Sequence, residues 1–392
     1  MLNTFYFYPM MNDSFPLATS IGILGGGQLG RMFIENALRY DVQIHVLDPS
    51  ENAPCAHLTP YFTQGDFKDF DTVYAFGKNL DVVTIEIEHV NTDALRKLEA
   101  EGVKVIPSAK AIETIKDKGL QKQFYIDYEI RSSLFRLVEN SAELNKHESF
   151  LPFFQKARKD GYDGKGVLSI KSKEDFCKAF DVPSVLEKSV DIDKEISVIV
   201  ARDQYGNSVT YPVVELVFDP VYNLVDYLIA PAHLSERQKA KAQQLAQQVC
   251  DGLQSPGIFA VELFLSKEGE ILVNETAPRA HNSGHHTIEA SISSQFDQHL
   301  RILLGLPLGS TKSYPASAMI NLVGSEGHIG KVSYQGIEKI SGLENVYVHL
   351  YGKAVTKPGR KMGHVSVIGS GMEEVLSKIQ QVKEQVQVIS VT

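Results

Sequence analysis

Glu262 and Glu275 stand in two apolar segments, Ile258 to Leu265 and Glu270 to Glu275, joined by Ser266 to Gly269. Both read as strands, and so short a loop closes a hairpin. A simple hairpin pairs 265 with 270 and 262 with 273. The two glutamates then share a face as diagonal neighbours, roughly 7–8 Å apart or less. Carboxylates so placed repel each other and lose hydration unless a cation or an arginine sits between them. Their oxygens suit Mg²⁺ or Mn²⁺ bridging nucleotide phosphates. The alternative is two solvent-facing glutamates on an edge strand. Strict alternation turns Asn274 to the opposite face, and only a bulge or strand end would return it to the carboxylates.

A second group lies between Lys156 and Gly166. Gly161, Gly164 and Gly166 fall within six residues, beside Lys156, Lys159 and Lys165. Such a loop can wrap a triphosphate with its N–H groups, or it is a basic hairpin turn. It lacks the Gly-Lys-Ser/Thr of a Walker loop. Val185 to Val190 reads as a strand leaving into a loop, where backbone groups can meet an adenine edge. Near the N-terminus, Gly25-x-Gly27-x-x-Gly30 follows the strand Ile21 to Leu24, and Asp48 ends the next strand. This fits the dinucleotide fingerprint, though the acid is close; a tight strand–helix turn fits equally.

These residues need elements to hold them. Strands at Ile21–Leu24, Val42–Leu47, 82–87 and 103–106 alternate with helices, as in a parallel α/β sheet over residues 20–110. A helical segment from Ser108 to Tyr128 bridges to longer strands in the pattern of a more antiparallel sheet: 152–157, 166–170, Ser184–Lys188, 195–202 and 209–217. Ser235 and Gln238 form a capping-box pattern opening a helix from Glu236 to Leu253. Short strands from 314 to 368 and a helix over 372–386 close the chain. The expected division is an extension at 1–19, a Rossmann-like domain at 20–110, a central domain at 111–310 and a β-rich domain at 311–392.

Composition sets the class. The chain has 392 residues, a formal charge of −9, 43% hydrophobic and 22% charged residues, which excludes wholesale disorder and fibres. The acidic balance argues against a nucleic-acid or membrane-surface binder. No apolar run reaches the ~18 residues of a membrane span. Cys55, Cys177 and Cys250 offer neither a disulfide framework nor zinc spacing, and suit a reducing, cytoplasmic setting. The apolar first nineteen residues lack the basic start of a secretory signal, so they read as a mobile arm, or the true start is Met10 or Met11.

The order Lys118, Lys156, Gly161–Gly166, Glu187–Val190, Glu195, Glu262, Asn274-Glu275 resembles the ATP-grasp superfamily. Gly26-Gly-Gln28-Leu-Gly-Arg31, Asp163-Gly-Lys-Gly166, Asn274-Glu-Thr-Ala-Pro-Arg279-x-His281-Asn282-Ser-Gly284-His285 and Gly359-Arg360-Lys361-Met-Gly-His364 narrow it. Over about residues 20–370 they look like the 5-(carboxyamino)imidazole ribonucleotide synthase family, and the Asn274–His285 block is the most specific. The resemblance implies a Rossmann-like domain, a central ATP-grasp domain and a small β-rich C-terminal domain. It implies a ligase that makes carboxyphosphate from ATP and bicarbonate. The carboxylate, or CO₂ released from it, is captured by the 5-amine of 5-aminoimidazole ribonucleotide.

By the same resemblance, Lys118 and Lys156 contact phosphates. Gly161, Tyr162, Asp163, Gly164, Lys165 and Gly166 cover them; Glu187, Lys188, Ser189 and Val190 hold adenine; Glu195 binds ribose. Glu262 and Glu275, with Asn274, take Mg²⁺ (or Mn²⁺). Gln28, Leu29, Tyr162, Asp163, Lys353, Arg360 and Lys361 hold the ribonucleotide, the cations facing its 5′-phosphate; NAD is not expected. Arg279, His281 and Asn282 form the catalytic neighbourhood, Arg279 as a planar fork for bicarbonate and His281 moving or orienting a proton. His281, His285 and His286 read equally as hydrogen-bonded loop histidines, without the ligand spacing of zinc. A homodimer and a separate carboxymutase are the implied partners. Phe218 departs from the family, standing near an expected nucleotide-contacting histidine. The rivals are formate-dependent glycinamide ribonucleotide transformylase, disfavoured by the 282–285 and 360–364 blocks, and a nucleotide-binding oxidoreductase or binding module using only the N-terminal fold.

Overall fold

The computed structural model describes residues 18–159 and 166–391. The expected arm up to residue 17 and the loop residues Gly161, Tyr162, Asp163, Gly164 and Lys165 lie outside the described residues.

Five parallel strands, Thr19–Leu24, Val42–Asp48, Tyr61–Gln64, Val82–Ile85 and Lys104–Val105, build the N-terminal sheet. The first strand lies between the second and the fourth. Chain direction therefore switches at its C-terminal end, the usual place for a ligand crevice in such sheets. The glycine turn leads there into the helix Gln28–Ala37, which buries Met32 and Phe33. Phe33, Ile258, Phe296 and Leu300 belong to one apolar cluster, so this layer is cemented to the centre of the molecule.

The helical segment expected from 108 to 128 is two helices, Ala109–Lys116 and Lys118–Asp127. Asp117 interrupts them with an extended backbone and caps the second through its carboxylate. The strand expected at 209–217 is likewise two, Ser208–Thr210 and Val214–Phe218. Helix Glu236–Leu253 keeps the expected boundaries and capping box, burying Leu245, Val249 and Cys250 against the large sheet.

That sheet has nine antiparallel strands. Strand Ile192–Arg202 pairs with Gly257–Ser266, which pairs with Ile271–Ala277 at the edge. In the other direction Val225–Ala230 pairs with Ala316–Val323, so the C-terminal strands Lys361–Gly369 and Val346–Leu350 extend the central sheet. Among the described residues, Val355–Thr356, Gly330–Gln335 and Gln387–Val391 form a small separate sheet in that region.

A four-stranded antiparallel sheet stands apart: Phe135–Val138, Ser184–Lys188, Phe153–Ala157 and Val167–Ile170. Its core is Val138, Leu144, Phe153, Ile170 and Leu186. At roughly 1.5–3 kcal/mol per buried large apolar side chain, so small a core makes this the lightly held part of the molecule. It carries Lys156 and Glu187. Among the described residues no helix is long and apolar enough to cross a membrane.

Candidate active site

Glu262 and Glu275 are directly opposite each other, a closer relation than the diagonal expected from a simple hairpin. Leu265 pairs with Ile271 and Leu263 with Val273, and the register then slips, leaving Asn274 as an unpaired bulge residue. Two residues on the bulged strand thus share one face. Lys118 Nζ pairs with Glu275 Oε2. Lys156 Nζ donates to Asn274 Oδ1 at 2.9 Å and lies 3.1 Å from Glu187 Oε1. The bulge therefore brings Asn274 to Lys156, which alternation alone would forbid. Glu195 stands on the same sheet face, opposite Phe264, two residues from the Ser197–Glu262 pair.

The electrostatics divide these acids. Burial raises the Glu262 carboxyl, helped by Glu275 and Glu195. Lys118 pulls Glu275 the other way, against burial. Burial also raises Glu195. Glu187 is buried at 4% exposure; burial would raise it, but Lys156 and Lys122 outweigh that and hold it at about 2. Lys122 and Ser133 complete the bracket around Glu187, at 3.1 and 2.8 Å from Oε2. Burial draws Lys122 down to about 8 despite Glu187. Sequence reasoning missed both partners, since a helical lysine and a loop serine acquire meaning only from a distant strand.

Across the hairpin, Arg279 grips Glu88 with Nε at 2.6 Å and Nη2 at 3.1 Å. The fork is thus oriented on a carboxylate, and an anion there must share it. His281 is neutral: burial, then Arg279 and Lys361, lower it to about 3. Its Nδ1 accepts the Ser283 N–H, so the ring proton is on Nε2, which faces Glu262 Oε1 at 3.5 Å. Ser283 Oγ, 2.9 Å from Nδ1, continues to Ser197 Oγ at 2.9 Å. Gln295 clamps the His281 peptide at both ends, accepting from its N–H and donating to its carbonyl, each at 2.9 Å. Asn282 exchanges two hydrogen bonds with Asn321, at 2.9 and 3.1 Å. Its amide is engaged in bracing the loop on the C-terminal strand.

The N-terminal glycine turn is already filled. Gly26 N–H donates to Asp48 Oδ2 at 2.7 Å and Leu29 N–H to Glu86 Oε1 at 3.1 Å. A Cβ on Gly27 would stand 2.4 Å from Glu86 Oε1, so that glycine makes room for a carboxylate. Two acids on these amides oppose a pyrophosphate. Burial raises Glu86 to about 7, opposed by Arg279 and the Leu29 amide. Glu86 and Glu88 were missed, although two acids alternating at the end of a buried strand mark a switch-point crevice.

The remaining expected residues are distributed as follows. Half-buried Gln28 starts its helix beside buried Leu29. Lys353 Nζ donates to Lys361 O at 2.7 Å and lies over the Tyr351 ring. Arg360 Nη1 donates to Val355 O at 2.7 Å, bracing its turn, while the Lys361 charge reaches Glu262 and His281. Lys188 Nζ donates to the Phe150 and Leu151 carbonyls, and Ser189 N–H to Pro152 O. Val190 is half-buried, and Gly166, with φ +77°, accepts from Ala157 N–H. Among the described residues there is no group of three or more His, Cys, Asp or Glu able to hold a metal.

Family models match in sequence as a ribonucleotide synthetase preATP-grasp domain over residues 18–116, an ATP-grasp domain over 123–296, and a phosphoribosylaminoimidazole carboxylase C-terminal domain over 317–378. The N5-carboxyaminoimidazole ribonucleotide synthase of Brucella melitensis is 35% identical over 370 residues, covering 92% of this chain and 99% of that one. The chain belongs to the N5-carboxyaminoimidazole ribonucleotide synthase family. The synthetase structure from Thermotoga maritima superposes with a TM-score of 0.88 at 40% identity, over 95% of this chain and 100% of that one. The synthase from Aspergillus clavatus, solved with ADP and 5-aminoimidazole ribonucleotide, gives 0.86 at 36% identity, over 94% and 98%. The chloroplastic phosphoribosylaminoimidazole carboxylase of Vigna aconitifolia is 38% identical over 368 residues, 92% of this chain. The chain spans only 66% of that carboxylase's length.

Proposed function

We propose that the chain carboxylates the 5-amine of 5-aminoimidazole ribonucleotide, using ATP and bicarbonate and giving 5-(carboxyamino)imidazole ribonucleotide, ADP and phosphate. The observation that carries this is the meeting of Glu262, Glu275, Asn274, Lys118 and Lys156 with Arg279 and His281, in a chain of this family. The relatives do not favour the transformylase alternative.

Facing carboxylates with an amide oxygen beside them form a hard oxygen donor set, and the lysine drawn onto Glu275 reports its appetite for a cation. Glu262 and Glu275, with Asn274, would hold Mg²⁺ (or Mn²⁺), which when bound neutralises phosphate charge. Lys118 and Lys156 exchange their present partners for phosphate oxygens. Gly161 to Gly166 cover the phosphates and exclude water from a labile acyl phosphate. Glu187 to Val190 flank the base, and Glu195 takes the ribose.

A bicarbonate oxygen attacks the γ-phosphorus, the bond to ADP breaks, and carboxyphosphate forms. The substrate amine then bonds to its carbon as the carbon–oxygen bond to phosphate breaks, and the nitrogen loses a proton. Arg279 orients the bicarbonate. His281 directs its Nε2–H to Glu262 and so acts as a positioning group; it is not the base. Glu86, with a carboxyl near 7, is suited to take the amine proton. Gln28, Leu29, Tyr162, Asp163, Lys353, Arg360 and Lys361 hold the ribonucleotide. The free, separated cysteines support a cytoplasmic setting. A homodimer, and a carboxymutase activity that takes up the unstable product, complete the reading.

The test is phosphate release from Mg-ATP and bicarbonate. The expected result is release that rises sharply with 5-aminoimidazole ribonucleotide and not with glycinamide ribonucleotide plus formate. Silence under both conditions would leave the fold with a different acceptor.

A further inference from the structure

The two lysines facing the carboxylate hairpin come from different bodies. Lys118 opens the helix Lys118–Asp127, whereas Lys156 belongs to the lightly held four-stranded sheet. Their present contacts with Glu275, Asn274 and Glu187 must be exchanged when phosphates arrive, so these cannot be what keeps them in register.

Another contact can, because it involves none of those partners. Asp117 is 4% exposed and its Oδ1 accepts from Gly119 N–H at 2.8 Å and Leu120 N–H at 3.2 Å. Arg158, two residues past Lys156, closes a fork on the same carboxylate, Nε to Oδ1 and Nη2 to Oδ2, both 2.9 Å. The Arg158 carbonyl accepts the Lys118 N–H at 3.0 Å, and its own N–H donates to Pro183 O at 3.0 Å. One residue, immediately past a strand of the small sheet, thus holds both the peptide of Lys118 and the carboxylate preceding it. Gly119 allows this approach: a Cβ there would stand 2.6 Å from Arg158 Nε. A bidentate arginine–carboxylate pair is directional as well as strong, and it fixes angle together with distance. Glu139, 3.9 Å from Nη1, is the other acid near the guanidinium.

We propose that Asp117 and Arg158 are positioning residues for nucleotide binding: their clamp sets the separation of Lys118 and Lys156 so that both ammonium groups meet one triphosphate. This rests on the reading that these two lysines face the phosphates.

The test measures the dissociation constant of magnesium adenylyl imidodiphosphate, which is not turned over, alongside the thermal midpoint of the full chain. Asp117→Asn keeps an oxygen to cap the helix while removing the charge, since Asn and Asp cap equally well. Arg158→Lys keeps the charge and loses the fork. Asp117→Asn and Arg158→Ala are each expected to weaken binding about tenfold, with the double variant no worse than either single one and Arg158→Lys between. The KM for 5-aminoimidazole ribonucleotide should be unchanged. A lowered midpoint with unaltered nucleotide affinity would make the pair a structural staple and overturn the proposal, as would effects that multiply in the double variant. Lys118→Ala and Lys156→Ala separate the two levels. If they bind the nucleotide like the wild type, the reading beneath the proposal fails. If they lose it while the clamp variants do not, the proposal alone fails.

Discussion

Two regions present backbone and small residues as a ligand cradle, and they behave oppositely. In the turn Gly25–Gly30 the inward amides are held by Asp48 and Glu86, carboxylates of the same chain. In the hairpin 257–277 the bulged strand directs the Asn274 amide and the Glu275 carboxylate at lysines from other elements, with Glu262 facing Glu275, through pairs that an incoming phosphate or cation can replace. The first region has the anion-binding geometry without anion-binding charge. The second has a less familiar geometry but exchangeable partners. A fingerprint describes a shape, whereas the partners already seated on its polar groups decide what it can bind.

The strongest way to break this contrast is Glu275→Gln, which keeps shape and removes charge. Turnover of ATP should fall on the order of 10³-fold while thermal unfolding stays near that of the wild type. Turnover like that of the wild type would contradict the proposed metal role of Glu275.

Glu86→Gln sharpens the other side. Turnover with 5-aminoimidazole ribonucleotide should drop roughly 10²-fold if Glu86 accepts the amine proton. Its carboxyl is raised from 4.5 to about 7 in the fold, so the unfolded chain ionises first as pH rises. The acid costs nothing below pH 4.5, increasingly destabilises the fold from there to about 7, and costs most above. The glutamine variant should therefore melt roughly 1–4 °C above the wild type at pH 8, with the difference vanishing near pH 4. A difference of the same size at both pH values would show that its ionisation is irrelevant. The smallest expected change belongs to Asn274→Ala, which leaves the bulge but takes an acceptor from Lys156. A roughly tenfold loss in kcat/KM for ATP, with the midpoint unchanged, would place the bulge side chain in the site; no loss would leave it a spacer.

Much of the frame was legible in the pattern of residues. Apolar runs at 21–24, 42–47 and 82–87 alternating with helices reveal the parallel sheet, and Ser235 with Gln238 marks a helix start. What escaped was non-local. Strand Val225–Ala230 pairs with Ala316–Val323, and side-chain alternation names a face without naming a partner. One extra residue in a strand leaves the apolar pattern readable either way, so Glu262 and Glu275 were placed on one face while their direct opposition was not foreseen. Asp117 carried a readable signal as a cap, yet the continuous helical pattern around it concealed the break. Arg279 and Asn282 stand out in the sequence by type and position, but their engagement with Glu88 and Asn321 depends on elements far along the chain.

The most direct test of bicarbonate activation follows one oxygen. With ¹⁸O-labelled bicarbonate, Mg-ATP and 5-aminoimidazole ribonucleotide, the attacking oxygen stays on phosphorus when the amine displaces phosphate. Mass analysis of the released phosphate should find one labelled oxygen in each molecule. Phosphate free of label would mean that bicarbonate never attacks phosphorus at this site, and would contradict the account.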